Sequence, residues 1–241
     1  MDRKRVILFL VLVFVVVGGG LFAHDKGDLM LHIEPQIGLV IPNTVIKYRG
    51  VDLADYFDTD PGRLGFEWAL RGTVHYYFVD FFGVNAGMGF GGHILTYNLL
   101  KDGDSFVNTL VGTYFNIPFG FRFSFSAFAF GAGLTANLPL ASSSSFSEKI
   151  GGGKSNDTDD DYFEFNPYMS WYVDIGFDLS GIKDRKGGFG MMFRLGGSLS
   201  DKIGDSDKNK SSIEYTSLGV FSVSIVFSPA IELANLPIGG K

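Results

Sequence analysis

Eight charged side chains fall on the polar side of otherwise apolar, alternating segments: Glu34, Glu67, Arg71, Arg122, Glu164, Asp174, Arg194 and Glu214. Acids and bases spaced one or two to a segment can do two kinds of chemistry. Enclosed together they would pair, because an unpaired interior charge is expensive, and the pairs would stiffen whatever encloses them. Facing a narrow passage they would instead set which ions or solutes pass.

Other spacings invite a functional reading and lose it on inspection. Gly87, Gly89 and Gly92 match the glycine pattern that cradles a pyrophosphate, but no helix is signalled after them, so they read as relief of crowding inside a strand. Residues 151–155, Gly-Gly-Gly-Lys-Ser, suggest a phosphate loop, yet Glu148 stands where its first glycine belongs, and the stretch reads as a flexible loop. Asp157, Asp159 and Asp161 have calcium-loop spacing, but Tyr162 and Tyr168 occupy the positions of the turn glycine and the bidentate acid. A solvated acidic loop tip is expected there, beside the low-complexity serines 142–145, with weak divalent binding as the alternative. His93, with Ser105 in the next connection and loop acids, is the one arrangement that suggests lipid-modifying catalysis. No nucleophile motif accompanies it, so no enzyme is expected. The chain has no Cys, which removes disulfides, thiolate metal sites and thiol nucleophiles, and neither a metal site nor a cofactor is expected.

The elements that must position these charges are strands. From residue 29 the apolar residues recur with period 2: Leu29, Leu31, Ile33, Ile37, Leu39 and Ile41 oppose His32, Glu34 and Gln36, and Phe66, Trp68, Leu70, Val74, Tyr76 and Phe78 oppose Glu67, Arg71, Thr73 and His75. The same alternation puts Val84, Ala86, Met88, Phe90 and Ile94 against glycines, Asn85 and His93. It then puts Phe115 to Phe123 against Tyr114, Asn116, Gly120 and Arg122, and Phe128, Phe130, Ala132, Leu134 and Leu138 against Gly131, Gly133, Thr135 and Asn137. A sixth strand has Phe163, Phe165, Met169, Trp171, Val173, Ile175 and Phe177 opposite Glu164, Ser170 and Asp174. A seventh sets Phe189 to Leu199 against Arg194, and an eighth runs to Phe227 with Glu214, Ser222 and Ser224 opposite its apolar residues. Long gaps at 42–62, 98–108, 139–162 and 200–212 alternate with shorter ones at 80–83, 124–126 and 179–187, so one rim of an antiparallel meander collects the long loops.

The first 23 residues read differently. Arg3, Lys4 and Arg5 precede an apolar run from Val6 to Val17, then three glycines, Leu21, Phe22 and Ala23, the layout of a secretory signal peptide with cleavage expected after Ala23. That run is shorter than the roughly 20 residues of a spanning helix. Two domains follow from this: a signal peptide, 1–23, and a barrel domain, 24–241. The net charge of −6 and pI near 5.1, with no basic cluster in the mature part, exclude nucleic acid as a partner.

A soluble lipocalin-like binding barrel turns its apolar face inward and shows charges to water. Here the polar face is mostly Gly, Ser, Ala, Asn and Thr, small enough for a narrow lumen and poor as a soluble exterior, while the apolar face is free of charge. The fold class expected is therefore all-β, an antiparallel up-and-down transmembrane β-barrel of about eight strands, with the soluble barrel as the alternative. Pro35, Pro118 and Pro167 each remove a ladder donor from a sheet without edges and require bulges or strand ends. The eighth strand is read as closing at Phe227, and residues 228–241 continue past it as a tail.

The signal peptide, the alternation from Leu29 to Ile41, and the run Tyr114-Phe115-Asn116-Ile117-Pro118-Phe119-Gly120-Phe121-Arg122-Phe123 resemble the small outer-membrane β-barrel superfamily that includes OmpX, OmpW and the OmpA barrel. The resemblance spans most of the mature chain and is architectural. It implies a bacterial outer-membrane location and a structural or surface barrel, or a narrow channel for small or hydrophobic solutes. A lipid-modifying enzyme is the alternative. Outer-membrane lipid is the expected partner, with small solutes or extracellular ligands engaged through the long loops.

Overall fold

The structure is a computed structural model that describes residues 24–48, 51–52, 62–101, 104–125, 127–150, 153–159, 165–180, 187–200 and 213–235. Residues 1–23, read as a signal peptide, and Glu164 lie outside these residues, as do Asp161, Gly151 and Gly152.

The described residues form ten strands: β1 (Asp28–Tyr48), β2 (Val51–Asp52), β3 (Gly62–Val79), β4 (Phe82–Lys101), β5 (Asp104–Phe125), β6 (Phe128–Ile150), β7 (Gly153–Asp159), β8 (Tyr168–Asp178), β9 (Gly187–Ser198) and β10 (Ile213–Asn235). Eight of them pair antiparallel with their chain neighbours around a ring, and β10 returns to β1 from Asp28↔Asn235 to Tyr48↔Ile213, so the sheet closes on itself. The short strands β2 and β7 extend β1 and β6 as hairpins outside the ring. Closure satisfies the backbone groups that a free edge would leave unpaired, the requirement for strands that cross hydrocarbon.

The alternation resolves into two faces as the sequence implies. Ile37, Leu39 and Ile41 of β1, Trp68 and Leu70 of β3, Met88 and Phe90 of β4, Phe119 and Phe121 of β5, and Phe193 and Leu195 of β9 all stand exposed on the outside, Met88 at 62%. No charged side chain interrupts this belt between Leu29 and Ile41, Leu64 and Phe78, Phe115 and Phe125, or Phe189 and Leu199. On β5 the belt takes ten residue steps, Phe115 to Phe125, which at about 3.3 Å per residue and a strand tilt near 40° is roughly 25 Å, the height of a bilayer-facing apolar band. Water could not wet such an exterior without a large cost, so the soluble-barrel alternative does not describe this face. The architecture is the transmembrane barrel expected from the sequence.

Several boundaries differ. The gap expected at 98–108 is strand: β4 and β5 continue as one hairpin until Lys101 pairs with Asp104. The loop expected at 139–162 is largely strand too, since β6 runs through the serines to Ile150 and turns back as β7, which contains Gly153, Lys154, Ser155, Asp157 and Asp159. Above the belt both environments change, so the apolar-out signature fades although the ladder goes on. A register shift at Thr113/Tyr114, against Ala141 and Pro139, also inverts the parity of β6.

The last strand does not end at Phe227. Residues 228–235 pair with β1 down to Asp28, because Pro229, Ile231 and Leu233 continue the outward face while Ser228 and Ala230 are buried inside. Pro167 precedes β8, as a strand end allows, but Pro35 and Pro118 lie within strands. The β1–β10 pairing is interrupted between His32↔Ala230 and Gln36↔Val226, and the β4–β5 pairing between Ala86↔Phe119 and Gly89↔Asn116, so each proline sits where its missing donor is not called on.

Candidate functional site

The inward face builds the site. Asp174 in β8 and Arg194 in β9 are paired in register, and the guanidinium forks onto the carboxylate, Nε to Oδ1 and Nη2 to Oδ2, each at 2.7 Å. Arg194 also lies 4.4 Å over the Tyr172 ring, reaches Glu34 Oε2 at 3.6 Å, and donates from Nη1 to Gln36 Oε1 at 3.0 Å. The same Gln36 oxygen accepts from Arg71 Nη1 at 2.5 Å. The Gln36 amide nitrogen donates to Glu67 Oε1 at 2.7 Å and to Ser224 Oγ at 2.9 Å, and Ser224 in turn donates to Glu67 at 2.8 Å. One neutral side chain from β1 thus ties β3, β9 and β10 across the lumen. Glycines make the room: a Cβ on Gly89 would lie 2.9 Å from Arg71 Cγ, and one on Gly133 would lie 2.5 Å from the Tyr172 hydroxyl.

Toward the short turns a second tier forms. Glu34 accepts from Thr73 at 2.9 Å and lies 3.5 Å from His75 Nε2, whose ring is tilted against His32 at 4.0 Å, and His32 Nδ1 meets Ser228 Oγ at 2.7 Å. Below it Arg122 Nη2 is 3.0 Å from Asp178 Oδ2, while Asp178 Oδ1 accepts from the backbone and hydroxyl of Ser180. His24 stacks on Tyr77 at 3.7 Å, and both are buried. At the other end Val40, Leu95, Tyr97, Phe106, Leu110, Tyr114, Phe165, Tyr168 and Leu218 pack into a buried apolar cluster over the charged layer.

Between these layers, described residues line two cavities. One, of about 70 Å³, is lined by Gln36, Glu67, Arg71, His93, Asn116 and Asn137 among others, and has room for a few waters. The other, of about 10 Å³, touches Glu34, His75, Arg122 and Asp174 and has room for at most one. Tyr172 and Arg194 belong to the walls of both, so this pair is the partition between them.

Of the eight charges singled out from sequence, Glu34, Arg71, Arg122 and Arg194 are buried in the lumen, and Glu67 and Asp174 are partly so. They form tiers, not one ring. Glu214 pairs with Lys47 in the ladder, ten residues along β10 from Ser224, roughly 33 Å by strand rise, and is not part of this layer. Glu164 is outside the described residues. Phe165, expected on the outer face, is instead buried inside against Tyr114 and His93, because the regular alternation of β8 starts only at Tyr168. His93 is enclosed by Tyr114, 3.0 Å from its hydroxyl, and by Phe165; Ser105 lies seven residues further up the ladder from His93's partner Gly112, roughly 23 Å away, so the two do not meet. Among the described residues no group of three His, Cys, Asp or Glu is arranged to hold a metal ion.

Gln36, which the alternation already places on the polar side, and Tyr172, which it leaves unmarked, join the site without being among the eight charges. Both occupy inward positions of their strands, Gln36 two after Glu34 and Tyr172 two before Asp174, and that parity was the available signal.

No protein-family profile and no curated protein matches this chain. Solved structures do. It is similar to Ail, the attachment invasion locus protein of Yersinia pestis, at 12% identity over 86% of this chain and 99% of that one, with a TM-score of 0.30. The outer membrane protein OprG from Pseudomonas aeruginosa gives 14% identity over 87% and 98%, TM-score 0.40, and the outer membrane protease OmpT from Escherichia coli 9% over 89% and 100%, TM-score 0.41. At these scores the likeness carries no functional detail; the closed ladder and the outer belt of this chain define its architecture.

Proposed function

We propose that this chain is a non-enzymatic outer-membrane barrel with a closed lumen, a rigid stem that holds the β4–β5 and β6–β7 hairpins above the lipid for contact with the exterior. The observation that carries this reading is the partition: Arg194, fixed by Asp174, Glu34, Gln36 and Tyr172, separates two cavities too small to join into a path. The apolar cluster over it and the His24–Tyr77 stack below it pack the lumen on either side, which supports the reading. An eight-stranded ring leaves space that side chains nearly fill, in keeping with this.

Conductance of the refolded full chain in planar bilayers tests it. No unitary current is expected, and none is expected to appear in Arg71→Ala. Steady single-channel openings of the unmodified protein would refute the closed barrel in favour of the narrow-channel reading, in which the same charges act as a selectivity layer.

A further inference from the structure

Above the belt the barrel wall keeps its ladder and changes its chemistry. Phe90, Phe115 and Leu138 stand side by side in register on β4, β5 and β6, near the upper end of the belt. Six residues further along β5, roughly 15 Å higher at about 3.3 Å per residue and a strand tilt near 40°, comes a row of hydroxyls: Thr96, Thr109 and Ser145 are paired in the same way. Neighbouring strands hold them about 5 Å apart. Asn98 lies beyond this row on β4, and Val111 and Ser143 lie between it and the belt. All six are exposed or half-buried, while Leu95, Tyr97, Leu110 and Ser144 beside them are buried, so the six share the outer face.

This face is polar without being charged. On β5 no outward position from Ser105 to Phe125 carries an acid or a base, and none of the six residues does. A sheet face turned to bulk water ordinarily mixes charges of both signs. Phosphate or carboxylate groups would call for Arg or Lys, which the six do not include. Hydroxyls and an amide both donate and accept hydrogen bonds, so they match a partner that is itself neutral and rich in hydroxyls.

We propose that this face of β4, β5 and β6 docks the sugars of an outer-leaflet glycolipid whose acyl chains cover the belt below it. Continuity decides the occupant: the same three strands carry the belt and continue into this face, so a lipid packed on Phe115 and Leu138 sets its headgroup here. The hydroxyl row meets the sugar hydroxyls, and Val111 meets the C–H face of a ring. The inference goes beyond the closed-barrel reading and holds whether or not the lumen conducts, since it requires only that lipid covers the belt.

The test refolds the full chain into phosphatidylcholine vesicles that carry either lipopolysaccharide with its core sugars or lipid A alone. The urea midpoint for unfolding is expected to be higher with the core sugars. The combined variant Thr96→Val, Thr109→Val, Ser145→Ala should keep its midpoint in lipid A vesicles and lose the rise. A second measurement needs one substitution at a time and serves if the combined variant does not fold, as judged by heat-modifiable gel migration. A nitroxide on Ser143→Cys should move more slowly in the core-sugar vesicles than in the lipid A vesicles, and one on Asn43→Cys, exposed on β1, should not. Equal midpoints in the two vesicles, a rise that persists in the folded combined variant, or equal slowing at Ser143 and Asn43 would overturn the proposal.

Discussion

Arg194 and Asp174 are direct cross-strand neighbours whose side chains meet as a two-pronged pair, with both bonds at 2.7 Å and both groups largely hidden from solvent. Removing one charge leaves the other buried with only Glu34 at 3.6 Å to answer it. Asp174→Asn is therefore expected to destabilise the barrel by about 3 kcal/mol, read as a lower urea midpoint for unfolding from detergent or liposomes. Combining it with Arg194→Met should recover only part of the loss, because it removes the stranded guanidinium but also takes from Glu34 its cation at 3.6 Å. A double variant no more stable than Asp174→Asn would show that the pair is not what holds these strands.

Gln36 is uncharged, yet it accepts from two guanidiniums and donates to Glu67 and Ser224. Hydrogen bonds to charged groups contribute more than neutral ones, about 1.5–3 kcal/mol each. Gln36→Leu should therefore lower the unfolding free energy by at least about 2 kcal/mol, and Gln36→Glu should destabilise as well, because it sets a carboxylate oxygen against Glu67 Oε1 where the amide nitrogen donates at 2.7 Å. Equal urea midpoints for Gln36→Leu and the unmodified chain would show that the hub is dispensable.

The faces of the strands were legible because lipid and lumen impose opposite demands on alternate residues, and Ile37, Trp68, Met88 and Phe193 declare the outer one plainly. Legibility stopped where that contrast stops. Above the belt the inward positions of the β4–β5 hairpin carry Leu95, Tyr97, Phe106 and Leu110, buried in an apolar cluster, so inward no longer means polar and the strands read as loop. The serines of β6 show no alternation at all, and the parity change near Pro139 and Leu140 hides their register. Ion-pair partners were illegible for another reason: Glu34 and Arg71 are register neighbours and still do not pair, since Arg194 reaches Glu34 from across the lumen, a contact that depends on barrel closure.

The belt itself makes a quantitative demand. Met88 points outward from the middle of β4 and is among the most exposed apolar residues, whereas Thr109 faces outward on the part of β5 above the belt. Met88→Arg should cost about 2–4 kcal/mol in liposome unfolding, and Thr109→Arg close to nothing. Similar costs at both positions would contradict a lipid boundary between them.

The rims should be distinguishable on whole cells, and the absence of cysteine makes the experiment clean. Ser147 is exposed on the β6–β7 hairpin, beyond the end of the apolar belt, and Asp80 is exposed in the tight turn that joins β3 to β4 at the opposite rim. Short turns face the periplasm and long connections the exterior in barrels of this kind. A membrane-impermeant maleimide should accordingly label Ser147→Cys in intact cells and leave Asp80→Cys unmodified until the envelope is opened. Both positions are exposed, so folding should survive both substitutions. Labelling of Asp80→Cys alone would invert the barrel, and with it the assignment of the hairpins to the outside.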